Sequence, residues 1–319
     1  MKLAYTDSTP GSIATYPLNS RPSKVRVADF ATPAPPGTAL SAWAASLPNL
    51  LAAADLRAIV TAIRTAREKG APVIWGLGAH VLKVGLAPVL IELMRRGFVS
   101  AVATNGAGLI HDFEIALSGA TSEDVEAALG PGQFGMAEET GRDLNAAICE
   151  GAARGLGLGQ AVCEWLRHRQ PPFAAQSLLT AAAIHGVPVS VHVAVGTDII
   201  HMHPAASGAA IGESSLRDFR YFSGWVKHLK GGVYLNCGSA VLLPEVFLKA
   251  VALARNAGVD LNGLTTVSLD FIRHYRPETN VVHRPTKGIG KGYTLVGHHE
   301  LMIPLLGALL VEADTGAVY

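Results

Sequence analysis

From residue 50 onward, apolar runs alternate with amphipathic stretches, and glycines punctuate the changes. Residues 51–69 read as a helix ended by Gly70, and 72–75 as a short apolar strand. Residues 80–96 read as an amphipathic helix ended by Gly97, and 99–104 as a strand closed by Asn105-Gly106-Ala107-Gly108. A helical block follows over 109–185, with breaks at Gly130-Pro131-Gly132 and across 155–159. The alternation then resumes with strand 187–195, helix 216–229, strand 233–236, helix 244–256 and strand 264–269. A further strand at 293–296 and an apolar helix over 300–311 complete the series. This succession predicts a Rossmann-like α/β fold, a doubly wound and mostly parallel sheet with helices on both faces. Residues 1–48 read as a proline-rich arm (Pro10, Pro17, Pro22, Pro33, Pro35, Pro36, Pro48), and 49–319 as one domain.

Composition sharpens this picture. The chain is 49% hydrophobic and 16% charged, against about 25% charged in an ordinary soluble domain. Its longest stretch without Asp, Glu, Lys or Arg, residues 170–197, contains Pro171, Pro172, Gly186 and Pro188, which break a spanning helix. The first twenty residues lack the apolar core of a signal peptide, so a cytoplasmic location is expected, with no membrane partner. The surplus apolar surface then predicts oligomerisation. Lys+Arg 26 against Asp+Glu 25 excludes a strongly basic nucleic-acid binder, and three cysteines exclude a disulfide scaffold.

In an open α/β sheet, ligands bind beyond the carboxyl ends of the strands. The turns expected there are 76–80, 105–108, 196–198, 237–239 and 268–270, and four of the five carry glycine. Glycine admits close approach of a ligand, and helix N-termini favour phosphate, so a nucleotide or other anionic ligand is suggested. Neither Gly76-x-Gly78 nor Gly106-x-Gly108 completes the three-glycine dinucleotide fingerprint, and no P-loop is present. Tight strand–helix turns account equally for any single one of these glycines. Twelve histidines are present; His201-x-His203 with Asp198, and His298-His299-Glu300, are the densest groups. They leave a metal site and ordinary polar histidines both open. Cys237 reads either as a nucleophile or, more simply, as a small buried residue. Residues 276–292 read as a long structureless loop that concentrates Arg276, His283, Arg284, Lys287 and Lys291.

The ordered set Ala103-Thr104-Asn105-Gly106-Ala107-Gly108 with Asp112, Gly196-Thr197-Asp198-Ile199-Ile200, Gly232 to Gly238, Arg276-Pro277 and Pro304-Leu305-Leu306 resembles deoxyhypusine synthase, over roughly residues 70–311. The resemblance implies a Rossmann-like fold, NAD binding, and homotetramers with active sites built between subunits. In that family an aminobutyl group passes from spermidine to a protein lysine. Carried over by position, cofactor contacts fall at Ala79, His80, Asn105, Gly106, Ala107, Gly238, Val267, Ser268, His298 and His299. Asp198 matches an acid that contacts the polyamine, and His111 stands where the family has a glutamate. The family's essential lysine is matched by Pro285, with Lys287 two residues away. Its catalytic histidine and the adjacent lysine are matched by Leu243 and Leu242, and an acid ahead of Asp198 by Val193.

The expectation is therefore a divergent NAD-binding enzyme, transferase-like or an oxidoreductase. It would act on a small amine or amino-acid-like molecule, more anionic or neutral than spermidine, and would not make deoxyhypusine. Asp198, His111, His283 and Lys287 are the candidate catalytic groups. Two other readings stay open: a non-catalytic oligomeric ligand-binding protein, and a metal-dependent hydrolase using His201, His203 and Asp198.

Overall fold

The computed structural model describes residues 3–5 and 13–312. Six strands, β1 (Val73–Leu77), β2 (Ala101–Asn105), β3 (Val189–His192), β4 (Val233–Cys237), β5 (Thr265–Asp270) and β6 (Lys291–Val296), form one sheet. Every pairing is parallel and the spatial order is β3-β2-β1-β4-β5-β6. The order therefore reverses between β1 and β4, which opens a crevice above the carboxyl ends of those two strands.

Thirteen α-helical segments occur among the described residues: α1 (Leu40–Ser46), α2 (Leu51–Glu68), α3 (Ala79–Lys83), α4 (Ala87–Arg95), α5 (Gly106–Ser118), α6 (Val125–Leu129), α7 (Glu138–Ala153), α8 (Leu158–Arg169), α9 (Leu178–His185), α10 (Gly208–Val226), α11 (Leu242–Asn256), α12 (Tyr275–Pro277) and α13 (His299–Glu312). Successive strand residues point to opposite faces. Val73, Trp75, Leu77, Leu235 and Cys237 pack into a large cluster with residues of α2, α4 and α13. Ile74 and Tyr234 face the other way, against Phe222 of α10 and Phe247 of α11; the Tyr234 and Phe247 rings stack 3.9 Å apart. Burial on both faces explains why these strands read as short unbroken apolar runs. No described helix is long and apolar enough to cross a membrane.

Two expectations are corrected. The helix expected over 80–96 is two, because Gly85 at φ +82° breaks it between α3 and α4. The segment 276–292 is not a structureless loop: α12 continues into a π-helical stretch, Glu278–His283, and turns into β6 at Lys291. Its apolar residues decide this, since Pro277, Val281 and Val282 are buried while the cations His283, Arg284 and Lys287 face outward. Among the described residues of the proline-rich arm, α1 is the one α-helix before residue 48; Pro10 lies outside the described residues.

Candidate active site

At the crevice, the turns after β1 and β4 lie directly against each other. A Cβ on Gly78 would come within 2.1 Å of the Gly238 carbonyl oxygen, and one on Gly76 within 2.6 Å of the Tyr234 hydroxyl. The Gly76-x-Gly78 pair is thus required for β1–β4 packing. Gly238 adopts φ +73° and faces His299, whose Cε1 would lie 3.0 Å from a Cβ there. His299 is fully buried; its Nε2 lies 3.2 Å from the Leu269 carbonyl, so Nε2 carries the hydrogen and Nδ1 presents a lone pair. That Nδ1 and the Asn236 Oδ1 are buried acceptors with no hydrogen-bond partner among the described residues. His80 packs 5.6 Å from His299 and 6.0 Å from Phe271, and Phe271 lies parallel to His298. Burial holds the His80 imidazole below its ordinary value, helped by His299 and Lys83 and opposed by Glu300 and Asp270.

Beside this crevice, at the carboxyl ends of β2 and β3, is a cleft of about 470 Å³ lined by Lys83, Ala107, His111, Glu114, Glu123, Thr197 and Asp198 among others. Asn105 caps α5 by accepting a hydrogen bond from the Gly108 amide at 2.8 Å. Gly106 opens that helix, and its missing side chain leaves the space that the Asp198 carboxylate fills: a Cβ would meet Oδ2 at 2.0 Å. Asp198 is 8% exposed and its Oδ2 has no hydrogen-bond partner among the described residues. Burial raises this carboxyl above the usual range, with His201 offsetting part of the rise. His201 Nδ1 accepts from the amides of Gly196 at 3.1 Å and Asp198 at 3.3 Å, so its hydrogen sits on Nε2, 4.0 Å from Asp198 Oδ2. His111 is held through Nδ1, 2.7 Å from Thr121 Oγ1, and burial lowers it below its ordinary value, Glu114 opposing and Lys83 adding.

The structure thus brings His111 and Asp198 to one cleft. Ala79, His80, Gly238, His298 and His299 gather at the carboxyl ends of β1, β4 and β6. Val267 and Ser268 are buried within β5, and Asn105 spends its side-chain oxygen on the α5 cap. His283 and Lys287 lie elsewhere. Both precede β6 and sit at the amino end of the sheet, where Gly292 packs on Val282 and Gly290 on Leu264. Cys237 is fully buried and burial pushes its thiol up, which leaves it a packing residue. His201 and His203 diverge, the first toward Asp198 and the second toward Glu138 at 3.8 Å; among the described residues no three His, Cys, Asp or Glu converge as metal ligands. The expected ligand is more anionic or neutral than spermidine, yet carboxylates are not scarce here: Asp198, Glu114 and Glu123 share the cleft with Lys83. Glu114 was legible, one turn after His111 on the same helix face. Glu123 and Lys83 come from other elements, and nothing in their local sequence marks them.

Several solved structures share this architecture. AgrE, solved as a ternary complex with ornithine and NAD+, superposes with a TM-score of 0.52 at 16% identity, covering 81% of this chain and 32% of AgrE. A conserved protein assigned as LOR/SDH from Methanococcus maripaludis S2 gives 0.52 at 15% identity, covering 81% and 69%. A protein assigned as a deoxyhypusine synthase from Entamoeba histolytica gives 0.50 at 12% identity, covering 87% and 94%. At such identities the likeness establishes the fold alone, and this chain spans only about a third of the length of AgrE. No family model matches the sequence, and no curated protein matches it significantly.

Proposed function

We propose that this chain is an NAD-dependent enzyme, transferase-like or an oxidoreductase, acting on a small amine or amino-acid-like substrate. The observation that carries the reading is positional. A strand order that reverses between β1 and β4 creates the crevice in which doubly wound sheets bind dinucleotides, and the cleft holding His111 and Asp198 adjoins it. The residues at the crevice fit such a cofactor. His299 Nδ1 and Asn236 Oδ1 are buried acceptors in need of donors, which ribose hydroxyls and amide nitrogens supply. His80, His298 and Phe271 offer ring faces beside the turns after β1 and β4. NAD, when bound, supplies hydride transfer. AgrE, with the same fold, binds NAD+ together with an amino acid.

Within the cleft, Asp198 binds and orients a donor group of the substrate, and His111 moves its proton. Three carboxylates around one lysine favour a ligand bearing a positive or hydrogen-donating nitrogen. Deoxyhypusine formation is not the reaction proposed, because Pro285, Leu243 and Leu242 stand where that family has its lysine, histidine and adjacent lysine. His283 and Lys287 serve the cleft only if a neighbouring copy supplies them, in keeping with a homotetramer whose sites lie at subunit interfaces. Calorimetric titration of the purified protein with NAD, alone and with a panel of diamines and basic amino acids, tests the reading. Saturable binding, with reduced-nicotinamide absorbance appearing or cofactor affinity rising on amine addition, is expected. Absence of binding at millimolar NAD overturns it.

A further inference from the structure

The hydrogen-bond chain behind His111 determines which ring nitrogen carries its hydrogen. Glu114 lies one helical turn after His111 on α5, on the same face. Gly119, at φ +73°, ends the helix and turns the chain back, with Phe173 packed where its Cβ would be. Thr121 therefore returns to lie between the two side chains. Its Oγ1 is 2.7 Å from His111 Nδ1 and 2.5 Å from Glu114 Oε2. The other carboxylate oxygen, Oε1, accepts from the Thr140 hydroxyl of α7 at 3.1 Å. A threonine hydroxyl has one hydrogen, and here it goes to the carboxylate. The oxygen is then an acceptor toward the ring, so the ring donates from Nδ1 and leaves a lone pair on Nε2. The ring itself lines the cleft.

The geometry points to a proton relay, His111–Thr121–Glu114, with Thr121 and Glu114 as positioning residues that present His111 Nε2 to the cleft as a base. Its place in a reaction rests on the function proposed above; the fixed tautomer does not. When Nε2 takes a proton from a bound donor, the Nδ1 hydrogen passes to the Thr121 oxygen while the Thr121 hydrogen passes to Glu114 Oε2. The ring is neutral again, the hydroxyl is restored, and the proton rests on the carboxyl group. One proton has moved and nothing is oxidised or reduced. The reverse sequence returns it, so one device serves a base step and an acid step. The fall of His111 below its ordinary value agrees with a ring that is unprotonated when substrate arrives.

The test reads the tautomer directly and needs no substrate. The full chain is labelled with 15N-histidine, and long-range proton–nitrogen correlations are recorded near neutral pH, with the His111 signals identified by their loss in H111Q. Wild type is expected to show a protonated Nδ1 and a bare Nε2. T121V is expected to lose the Nδ1–H pattern, T121S to keep it because the hydroxyl remains, and E114Q to weaken it because the acceptor charge is gone. Should T121V fail to fold, T121A and E114Q carry the comparison. A wild-type ring with its hydrogen on Nε2, or a T121V or T121A ring that keeps the wild-type pattern, overturns the relay. NAD titration of the same samples separates the two readings: the expected spectra without NAD binding would remove the proposed function and leave the relay standing.

Discussion

Single residues decide two properties of this fold, close packing at the crevice and the response to pH. Gly78 sits at φ −72°, a conformation open to any residue, so its requirement is space. With the Gly238 carbonyl 2.1 Å from the site of a Cβ, G78A must part β1 from β4. Overpacking of this kind costs about 1–3 kcal/mol. Gly130, helical in backbone and with nothing within 4 Å, is the contrast; G130A is expected to be neutral or to stabilise by about 0.4–1 kcal/mol. Urea midpoints at unchanged slope measure both, and equal effects of the two substitutions would contradict the packing argument.

The second property concerns Asp218, whose buried Oδ2 accepts from the amides of Gly159 and Val191 at 2.8 Å each and ties α8 to β3. Burial nonetheless raises its pKa to about 7, against an ordinary value of 3.8. Between those values the folded state binds more protons than the unfolded one, so this group's contribution to stability falls as pH rises. D218N removes the titration. Its melting temperature relative to wild type is expected to climb from pH 4 to pH 7 and to level off above; a constant difference across that range rejects the assignment. His192, pushed by burial down to about 4, acts in the opposite sense in both proteins, so the difference isolates Asp218.

At the scale of elements, the site depends on how α5 begins. Asn105 ends β2 and caps α5 in the same residue, which fixes where Gly106 and Ala107 pass beneath Asp198 and how His111 and Glu114 face the cleft. Loss of such a cap costs about 1 kcal/mol. N105A is therefore expected to lower stability by that amount and N105D to restore most of it, as chemical denaturation can measure. Hydrogen exchange is expected to rise in the first turn of α5 in N105A while the strands keep their protection. Uniformly increased exchange would mean that the cap serves the whole fold rather than this helix. Asp112 does a similar task for α9. It accepts from Ser177 Oγ at 2.6 Å and from the amides of Leu178 and Leu179, which explains a fully buried carboxylate in the middle of an apolar helix face.

At the scale of the whole molecule, the charge-poor composition meets a particular surface. Val241, Phe271, Ile272, Tyr275, Val296 and Leu301 follow or end β4, β5 and β6, and all are exposed, Tyr275 at 72% and Leu301 at 67%. An apolar rim on one end of the sheet is what an oligomer interface covers. Light scattering after size exclusion is expected to give a multiple of the 33.3 kDa chain mass, and the double variant I272D/L301K a smaller species. A wild-type monomer at micromolar concentration rejects the oligomer and, with it, any contribution of His283 or Lys287 from a neighbouring copy.

The rhythm of apolar runs and glycine stops determined the α/β class, because strands buried on both faces and helices with one buried stripe leave different periods in any sequence. It located five strands to within a few residues and the sixth by its last four. It also marked Asp198 through the turn after the third strand, whereas His111 entered only through the resemblance to deoxyhypusine synthase, at the position of that family's glutamate. It missed the helical path of 276–292, where scattered cations mask a few buried apolar residues. Tertiary structure alone decided the order of strands and hence which two turns frame the crevice. It separated His283 and Lys287 from His111, since an element's distance along the chain says nothing of which end of the sheet it reaches. It also recruited Lys83 and Glu123 to the cleft and set Thr121 between His111 and Glu114. Such contacts arise only when the chain has closed on itself, because the hydrogen bonds that fix a side chain's protonation come from neighbours that local pattern does not specify.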